Sequence, residues 1–399
     1  MTISIIFVDE SPQVLNAMKR IFRKMRSERI LRFTTSPDEA LKQLATEPAD
    51  VLITAMSFSG QSGMELLEKV RVQFPQTVRI VLSGSVSSDV VLKATDLAHQ
   101  FIAKPFEEED LISAVDRAFF VKQLLDDAPL KMLVSQINGL PTLPAVYVEL
   151  EAQLNTSDAS MDKLGQIVAK DQAISAKLLQ LANSSFFSRP QRILNPAKAV
   201  SLLGIDLVRS IALTVGVIGG FSKLEKDFSV ENLWQHAMLT AAMAGAIAKA
   251  ESVDRETADA AFSAGLLHDI GKLLIVAHLP ERFHAIVEQM KSDNSTMAVA
   301  EKKIIGTTHA AVGAYLLGLW GLPMPIVQAV AFHHAPENND GRLTALIIVH
   351  AANAFANAGQ ILANRQTDLA QIDYAYLERI GLADHLDKWR KICVELIDQ

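Results

Sequence analysis

Cysteine is nearly absent from this chain: Cys393 stands alone in 399 residues. A single cysteine excludes an intrachain disulfide and any cysteine-based zinc site, and it fits a reducing compartment. Excess positive charge is absent too. Lys and Arg number 38 against 45 Asp and Glu, giving a formal net charge of −7. That balance disfavours binding driven by nucleic-acid phosphates. The opening residues MTISIIFVDE lack a basic segment and a long apolar stretch, so no signal peptide is expected. Ile211–Phe221 and Ala237–Ala248 are apolar, but each is too short or too rich in small residues for a membrane span of ~20 residues. They read as buried helices, and the expected location is the cytoplasm. What is plentiful is apolar side chain, 49% of the residues against 21% charged. Such a chain folds into globular domains, two or three of them at about 150 residues each.

The first 120 residues alternate between two periods. β-Branched runs at Ile3–Val8, Ile30–Phe33, Val51–Thr54, Val78–Leu82 and Gln100–Ala103 predict strands. Helical patterns fall between them at Gln13–Met25, Pro37–Ala45, Met64–Phe74, Asp89–Leu97 and Glu107–Leu125. Five strand–helix pairs predict an α/β, doubly wound, five-stranded parallel sheet. Asp126-Asp127-Ala128-Pro129 breaks this pattern. The expected division is 1–122, a linker or helix extension at 123–130, and 131–399. From Lys131 onward strand signals nearly vanish, which predicts an all-α second domain. Nine of the ten histidines lie there, from His236 on, and only His99 precedes them.

The α/β segment resembles the receiver domain of bacterial response regulators. The matching residues are Asp9-Glu10 after the first strand, Ser83 ending the fourth, Lys104-Pro105 ending the fifth, and Phe101 at the family's aromatic switch position. Singly, these would read as solvated charges and a core aromatic; their joint placement at strand ends carries the resemblance. In the family two acids hold Mg²⁺, a hydroxyl and a lysine receive the phosphoryl group, and an aspartate at the end of the third strand accepts it. Here that position is Ala55. An alanine methyl neither attacks phosphorus nor ligates a metal, so aspartyl phosphotransfer is excluded and Mg²⁺ binding is weakened. Ala55 marks either a natural loss or an engineered replacement of an aspartate.

The second segment carries Leu140-Pro141-Thr142-Leu143-Pro144, Leu181-Ala182-Asn183-Ser184, Leu233-Trp234-Gln235-His236, Leu267-His268-Asp269-Ile270-Gly271-Lys272 and His333-His334-Ala335-Pro336. This series resembles the HDOD domain, a branch of the HD superfamily of metal phosphohydrolases, with its motif-bearing core at about 135–340. The resemblance implies a divalent transition metal held by His236, His268, Asp269, His309, His333 and His334, with Lys272 meeting a phosphate. His268 and Asp269 are expected side by side on one helix, about 100° apart. Two positions depart from the metal-binding relatives: Asn232 and Asn353 stand where carboxylates are expected, which lowers affinity for dications. His278, His284, His350 and His385 read as structural imidazoles bonded to a carbonyl or an acid. Gly216–Gly220 lacks a phosphate loop's GK[ST] ending and reads as a helix crossing or helix end.

Two functions follow from these expectations. One is a non-catalytic signalling protein: a receiver-like module without its acceptor, and a helical output domain that binds signalling proteins, a sensor kinase or a downstream regulator. The other is a metal-dependent phosphohydrolase acting on a nucleotide or cyclic nucleotide. Phe119, Phe120, Val121, Leu124 and Leu125 make the end of the 107–125 helix unusually apolar, which predicts a homodimer or a docked arrangement through it.

Overall fold

Every residue of Ile3–Val8, strand β1, is buried. A strand covered on both faces needs helices above and below it, as in a parallel sheet. The computed structural model describes residues 3–23, 29–59, 61–83, 97–124, 127–136, 145–154, 156, 159–182, 193, 195–219, 228–338, 342–362 and 372–397. The chain divides into two compact units, Met1–Leu125 with Gly318–Gly321, and Asp126–Leu317 with Leu322–Gln399.

In the first unit β1 is joined by β2 (Arg29–Thr34), β3 (Val51–Ala55), β4 (Val78–Ser83) and β5 (Gln100–Ala103). All pair in parallel, in the order β2-β1-β3-β4-β5. This is the expected five-stranded, doubly wound sheet, and the order reverses beside β1, which puts a crevice at the C-terminal ends of β1 and β3. The helices are α1 (Pro12–Ile21), α2 (Pro37–Thr46), α3 (Gly63–Gln73) and α4 (Glu108–Leu124). Ser11 and Ser36 cap α1 and α2 by accepting from Val14 and Glu39 N–H, each with proline at the first helical turn. Helix α4 buries Leu111, Ala114, Val115, Ala118 and Val121, one face at helical spacing; Phe119 and Phe120 are half-buried. The helix expected at Asp89–Leu97 lies almost wholly outside the described residues.

One feature departs from expectation. The loop after β3 forms a short antiparallel hairpin, Ser57–Phe58 with Gln61–Ser62. Gly63 closes it, its N–H donating to the Met56 carbonyl at 2.9 Å. A Cβ at residue 63 would collide with the Ala55 and Met56 carbonyl oxygens, so only glycine lets the loop fold back this tightly.

The second unit is helical among its described residues. Ala128–Gln136, Ala145–Leu154, Met161–Ala169, Gln172–Ala182, Pro196–Leu203 and Ile205–Gly219 come first. Leu164, Val168, Leu178, Val208 and Ile211 form a core with Trp234. Gly216 and Gly219 lie within a continuous helix, not a phosphate loop. Among the further helices, eight build the histidine cluster and its support: α5 (Val230–Ala250), α6 (Arg255–Leu267), α7 (Ile270–His278), α8 (Met297–Ile304), α9 (His309–Leu319), α10 (Met324–Phe332), α11 (Ala345–Leu362) and α12 (Leu386–Ile397); His284 lies on another, Pro280–Asp293. The span Arg255–His278 is apolar and long enough to cross a membrane, but 89% of its most apolar window is buried inside the unit. Glu251, at the end of α5, accepts from Trp389 Nε1 at 2.8 Å, His385 Nδ1 at 2.9 Å and Lys388 Nζ at 3.0 Å. These bonds fasten α12 to α5.

Two glycines set how closely the site helices approach. A Cβ on Gly265 would lie 2.9 Å from the Ala241 Cα, so α6 can cross α5 only through small residues. A Cβ on Gly271 would overlap the His309 carbonyl oxygen, which puts α7 against the first turn of α9. Gly271→Ala should therefore force these two helices apart and lower the stability of the full chain by about 1–3 kcal/mol, read from denaturant unfolding.

Candidate metal centre

The site is built around Asp269, which is only 3% exposed. His268 and Asp269 do not share a helix, contrary to the sequence expectation. Helix α6 stops at Leu267, His268 caps it, and Asp269 (φ −99°, ψ 8°) starts α7. The break lies two residues before the close crossing at Gly271. It aims both side chains inward. Asp269 Oδ2 faces Lys272 Nζ at 2.5 Å, His268 Nε2 at 3.3 Å and His236 Nε2 at 3.6 Å. Asp269 Oδ1 faces His309 Nε2 at 3.1 Å. His236 comes from the second turn of α5, His309 opens α9, and His333-His334 follow the end of α10.

Backbone and carboxylate acceptors fix most of the rings. His268 Nδ1 bonds the Gly265 carbonyl at 2.7 Å and His333 Nδ1 the Val330 carbonyl at 2.8 Å. His309 Nδ1 bonds Glu301 Oε2 at 2.7 Å, and the same oxygen accepts the His309 N–H at 2.8 Å. Each of these bonds turns the Nε2 of its ring into the cluster. His334 Nε2 lies 3.1 Å from His309 Nε2. The cluster thus gathers two groups, His236/His268/Asp269 and His309/His333/His334, and within each the ligating atoms lie inside 4.8 Å of one another. Asn353 Oδ1 meets His236 Nε2 at 3.0 Å, so the asparagine does reach the cluster. Asn232 is exposed on the first turn of α5.

In the first unit, Asp9 is 2% exposed and receives Lys104 Nζ at 2.5 Å. Glu10 turns the other way and accepts from Ser59 N–H and Oγ, both at 2.7 Å. Those two bonds hold its carboxyl below the ordinary value. Ala55 ends β3 next to this pair, Ser83 ends β4, and Phe101 packs half-buried on the sheet's core.

Comparison with known proteins identifies both units. The response regulator receiver domain family matches residues 5–116, and the HDOD domain family matches residues 140–336. The chain joins a receiver domain to an HDOD domain. A Treponema pallidum protein described as uncharacterized is 28% identical over 209 residues, 51% of this chain and 40% of that protein. The Cupriavidus necator hydrogenase transcriptional regulatory protein HoxA is 30% identical over 126 residues, 31% of this chain and 26% of its own. The chain therefore spans less than half the length of either relative. A solved HDOD protein of unknown function from Geobacter sulfurreducens shares the fold: TM-score 0.51 at 24% identity, over 68% of this chain and 97% of that one.

The electrostatics of the HDOD domain centre on the buried carboxylate. Burial opposes ionisation of Asp269, but His268, Lys272 and the bond from His309 outweigh it and hold the acid well below its ordinary range. Burial and the neighbouring His268 lower His236 to about 4. Burial, then the adjacent rings, push His333 well down; His334 shifts the same way, but the residue is solvent-exposed, and screening weakens the effect. His309 goes the other way: burial is outweighed by Glu301 and Asp269, which raise it.

A metal fits part of this arrangement. His333 Nε2 is buried with no hydrogen-bond partner, an arrangement that a lone pair aimed at a cation explains. His309, backed by the Glu301 carboxylate, has the carboxylate–histidine pairing typical of metal ligands. Around Asp269 Oδ2, by contrast, an ammonium is already in place. The sequence did not point to Glu301, and it marked His350 only as a structural imidazole bonded to a carbonyl or an acid. Glu301 is fully buried on α8, eight residues before His309, with no motif spacing to mark it. His350 bonds the His333 carbonyl at 2.8 Å and accepts the Asp373 N–H at 3.1 Å, tying the C-terminal segment to a site residue. His284 and His385 bond the Pro280 carbonyl and Glu251.

These shifts set a pH dependence. His236 and His333 bind protons less readily folded than unfolded, so their contribution is complete above 6.5 and is lost as pH falls toward 4. His309 opposes this, stabilising below 6.5 and losing that contribution as pH rises through its raised folded value. Asp269, held well below its ordinary range, also loses its contribution as pH falls and adds to the two buried rings. In chelated buffer the melting temperature of the full chain should fall by ~5 °C or more between pH 6.5 and 4.5. His236→Asn should flatten that slope.

Proposed function

We propose that this signal-transduction protein works by contact in both domains: its receiver domain is read without an aspartyl phosphate, and its HDOD domain binds a signalling protein instead of hydrolysing a phosphoester. The observation that carries the reading is the set of contacts beside Ala55. With no acceptor carboxylate, Lys104 is paired with Asp9 at 2.5 Å, and Glu10 is turned to accept from Ser59 N–H and Oγ, so the groups that would receive a phosphoryl and Mg²⁺ are engaged by the protein itself. The HDOD domain supports the same reading, because the Lys272 ammonium is engaged by Asp269 at 2.5 Å. Incubation of the full chain with a small phosphodonor and Mg²⁺ should leave residue 55 and its neighbours unlabelled. Ala55→Asp should acquire label that Lys104→Ala removes. Label on the native chain mapping to the end of β3 would end this reading.

A second reading, a metal-dependent phosphohydrolase of nucleotides or cyclic nucleotides, is favoured by one observation: six side chains of the HD type converge with their ligating atoms in range of a metal. His236, His268, Asp269, His309, His333 and His334 would hold it, and the metal would supply a hydroxide and polarise the phosphate. Turnover with Mn²⁺ or Fe²⁺ that disappears in His268→Ala/Asp269→Ala would establish this reading over the first. We expect no turnover above the double variant.

A further inference from the structure

The two family matches leave residues 117–139 between them, and the helix Ala128–Gln136 lies in that interval. Leu125, Asp126 and Asp127 separate it from the end of α4 at Leu124. Its start is capped: Asp127 Oδ1 accepts the Leu130 N–H at 3.3 Å, and the Asp127 carbonyl accepts the Lys131 N–H at 3.0 Å. Leu130 and Leu133, one turn apart, are buried, while Met132 is 57% exposed.

This helix rests on the turn between α8 and α9. Gly306 stands in the left-handed region at φ +74°, and a Cβ there would come within 2.8 Å of the Pro129 ring. The glycine thus lets the proline lie directly on the turn's backbone. From the last turn of α8, Lys302 Nζ reaches Asp127 Oδ2 at 3.3 Å.

One residue clamps both ends of the same turn. The Glu301 carbonyl accepts the Ile305 N–H at 2.8 Å where α8 stops. Glu301 Oε2 accepts the His309 N–H at 2.8 Å where α9 starts, and it holds His309 Nδ1 at 2.7 Å. Glu301 and Thr307 are buried. Pro129 therefore presses on the middle of a segment whose far end sets the His309 ring. Moving the helix must move Gly306, because packed elements shift between discrete seats and do not deform smoothly. On the other side, α4 is held near its end by the buried Val121 and by Lys122 Nζ on Asp50 at 2.7 Å. A three-residue spacer leaves little slack between the two helices.

We propose that the Ala128–Gln136 helix is the element through which the receiver domain acts on the histidine cluster: seated on the α8–α9 turn it holds His309 in place, and withdrawn from the turn it releases it. The inference deepens the contact reading of the function and rests on it for the direction of the signal.

The test is hydrogen–deuterium exchange of the full chain at pH 7 in chelator, read by mass spectrometry on peptides spanning 301–312, 262–270, 128–136 and 3–8. Leu130→Ala/Leu133→Ala should speed exchange in 301–312 by about tenfold or more and leave 262–270 as it is. Met132→Ala should change neither. Val121→Ala should speed 128–136 and 301–312 together while 3–8 stays protected. The proposal is overturned if the double variant leaves 301–312 unchanged or loosens 262–270 to the same degree. It is equally overturned if Val121→Ala leaves 301–312 unchanged. If the double variant fails to fold by circular dichroism, Leu130→Ala alone is read by the same criteria. No phosphodonor or phosphoester enters this experiment, so its failure is separate from a failure of the contact-only function.

Discussion

The Asp269 carboxylate is buried, ionised and ringed by imidazoles, and the arrangement of the HDOD domain around it answers that one charge. An unpaired buried carboxylate would cost several kcal/mol. Lys272 neutralises Oδ2 from one turn further along α7, and His309 serves Oδ1 from the start of α9. Those contacts require α7 and α9 to touch, which Gly271 permits, and α5 and α6 to touch, which Gly265 and Ala241 permit. Behind the first ring of contacts, Glu301 orients His309, and His350 holds the His333 carbonyl. The helix break at His268-Asp269 lies within the same geometry.

The receiver domain shows a parallel pattern. There, too, a buried aspartate, Asp9, is met by a lysine at 2.5 Å. In both domains a site whose family chemistry uses an external cation is balanced by the chain's own lysine. The two cases differ in what remains. Around Asp9 the second acid, Glu10, has been drawn away to Ser59. Around Asp269 the histidines remain converged, and one buried ring nitrogen stays unpartnered. The receiver pocket is self-satisfied as it stands; the HDOD cluster is self-satisfied on one side only.

Much of this could be read from the sequence, for physical reasons that also mark the limits. The five strands were legible because residues buried on both faces form short continuous β-branched runs, and helices α1 and α2 announce themselves by Ser-Pro caps. Ala55 could be located because strand ends are fixed by that same pattern. The six converging side chains were visible through adjacent motifs such as His268-Asp269 and His333-His334. Glu301 was not, since a single glutamate on an otherwise ordinary helix gives no sign that it is buried. His350 was set aside as structural, and its bond to the His333 carbonyl depends on a tertiary contact between positions 17 residues apart. The hairpin at Ser57–Ser62 and the helix break at His268 were missed because both lie beside close backbone approaches at glycines, which leave no hydrophobic period. Lys272 was read as a phosphate contact, and its position on Asp269 is a matter of distance that spacing alone does not decide.

The central claim is that the protein itself, without a metal, compensates the Asp269 charge. Thermal unfolding of the full chain and of Asp269→Asn, both in chelator at pH 7, tests it most directly. If Lys272 and His309 balance the carboxylate, removing it strands a buried ammonium, and Asp269→Asn should melt lower by an amount corresponding to about 3–5 kcal/mol. A carboxylate left uncompensated without metal would give the opposite sign, and a rise in melting temperature for Asp269→Asn would contradict the account.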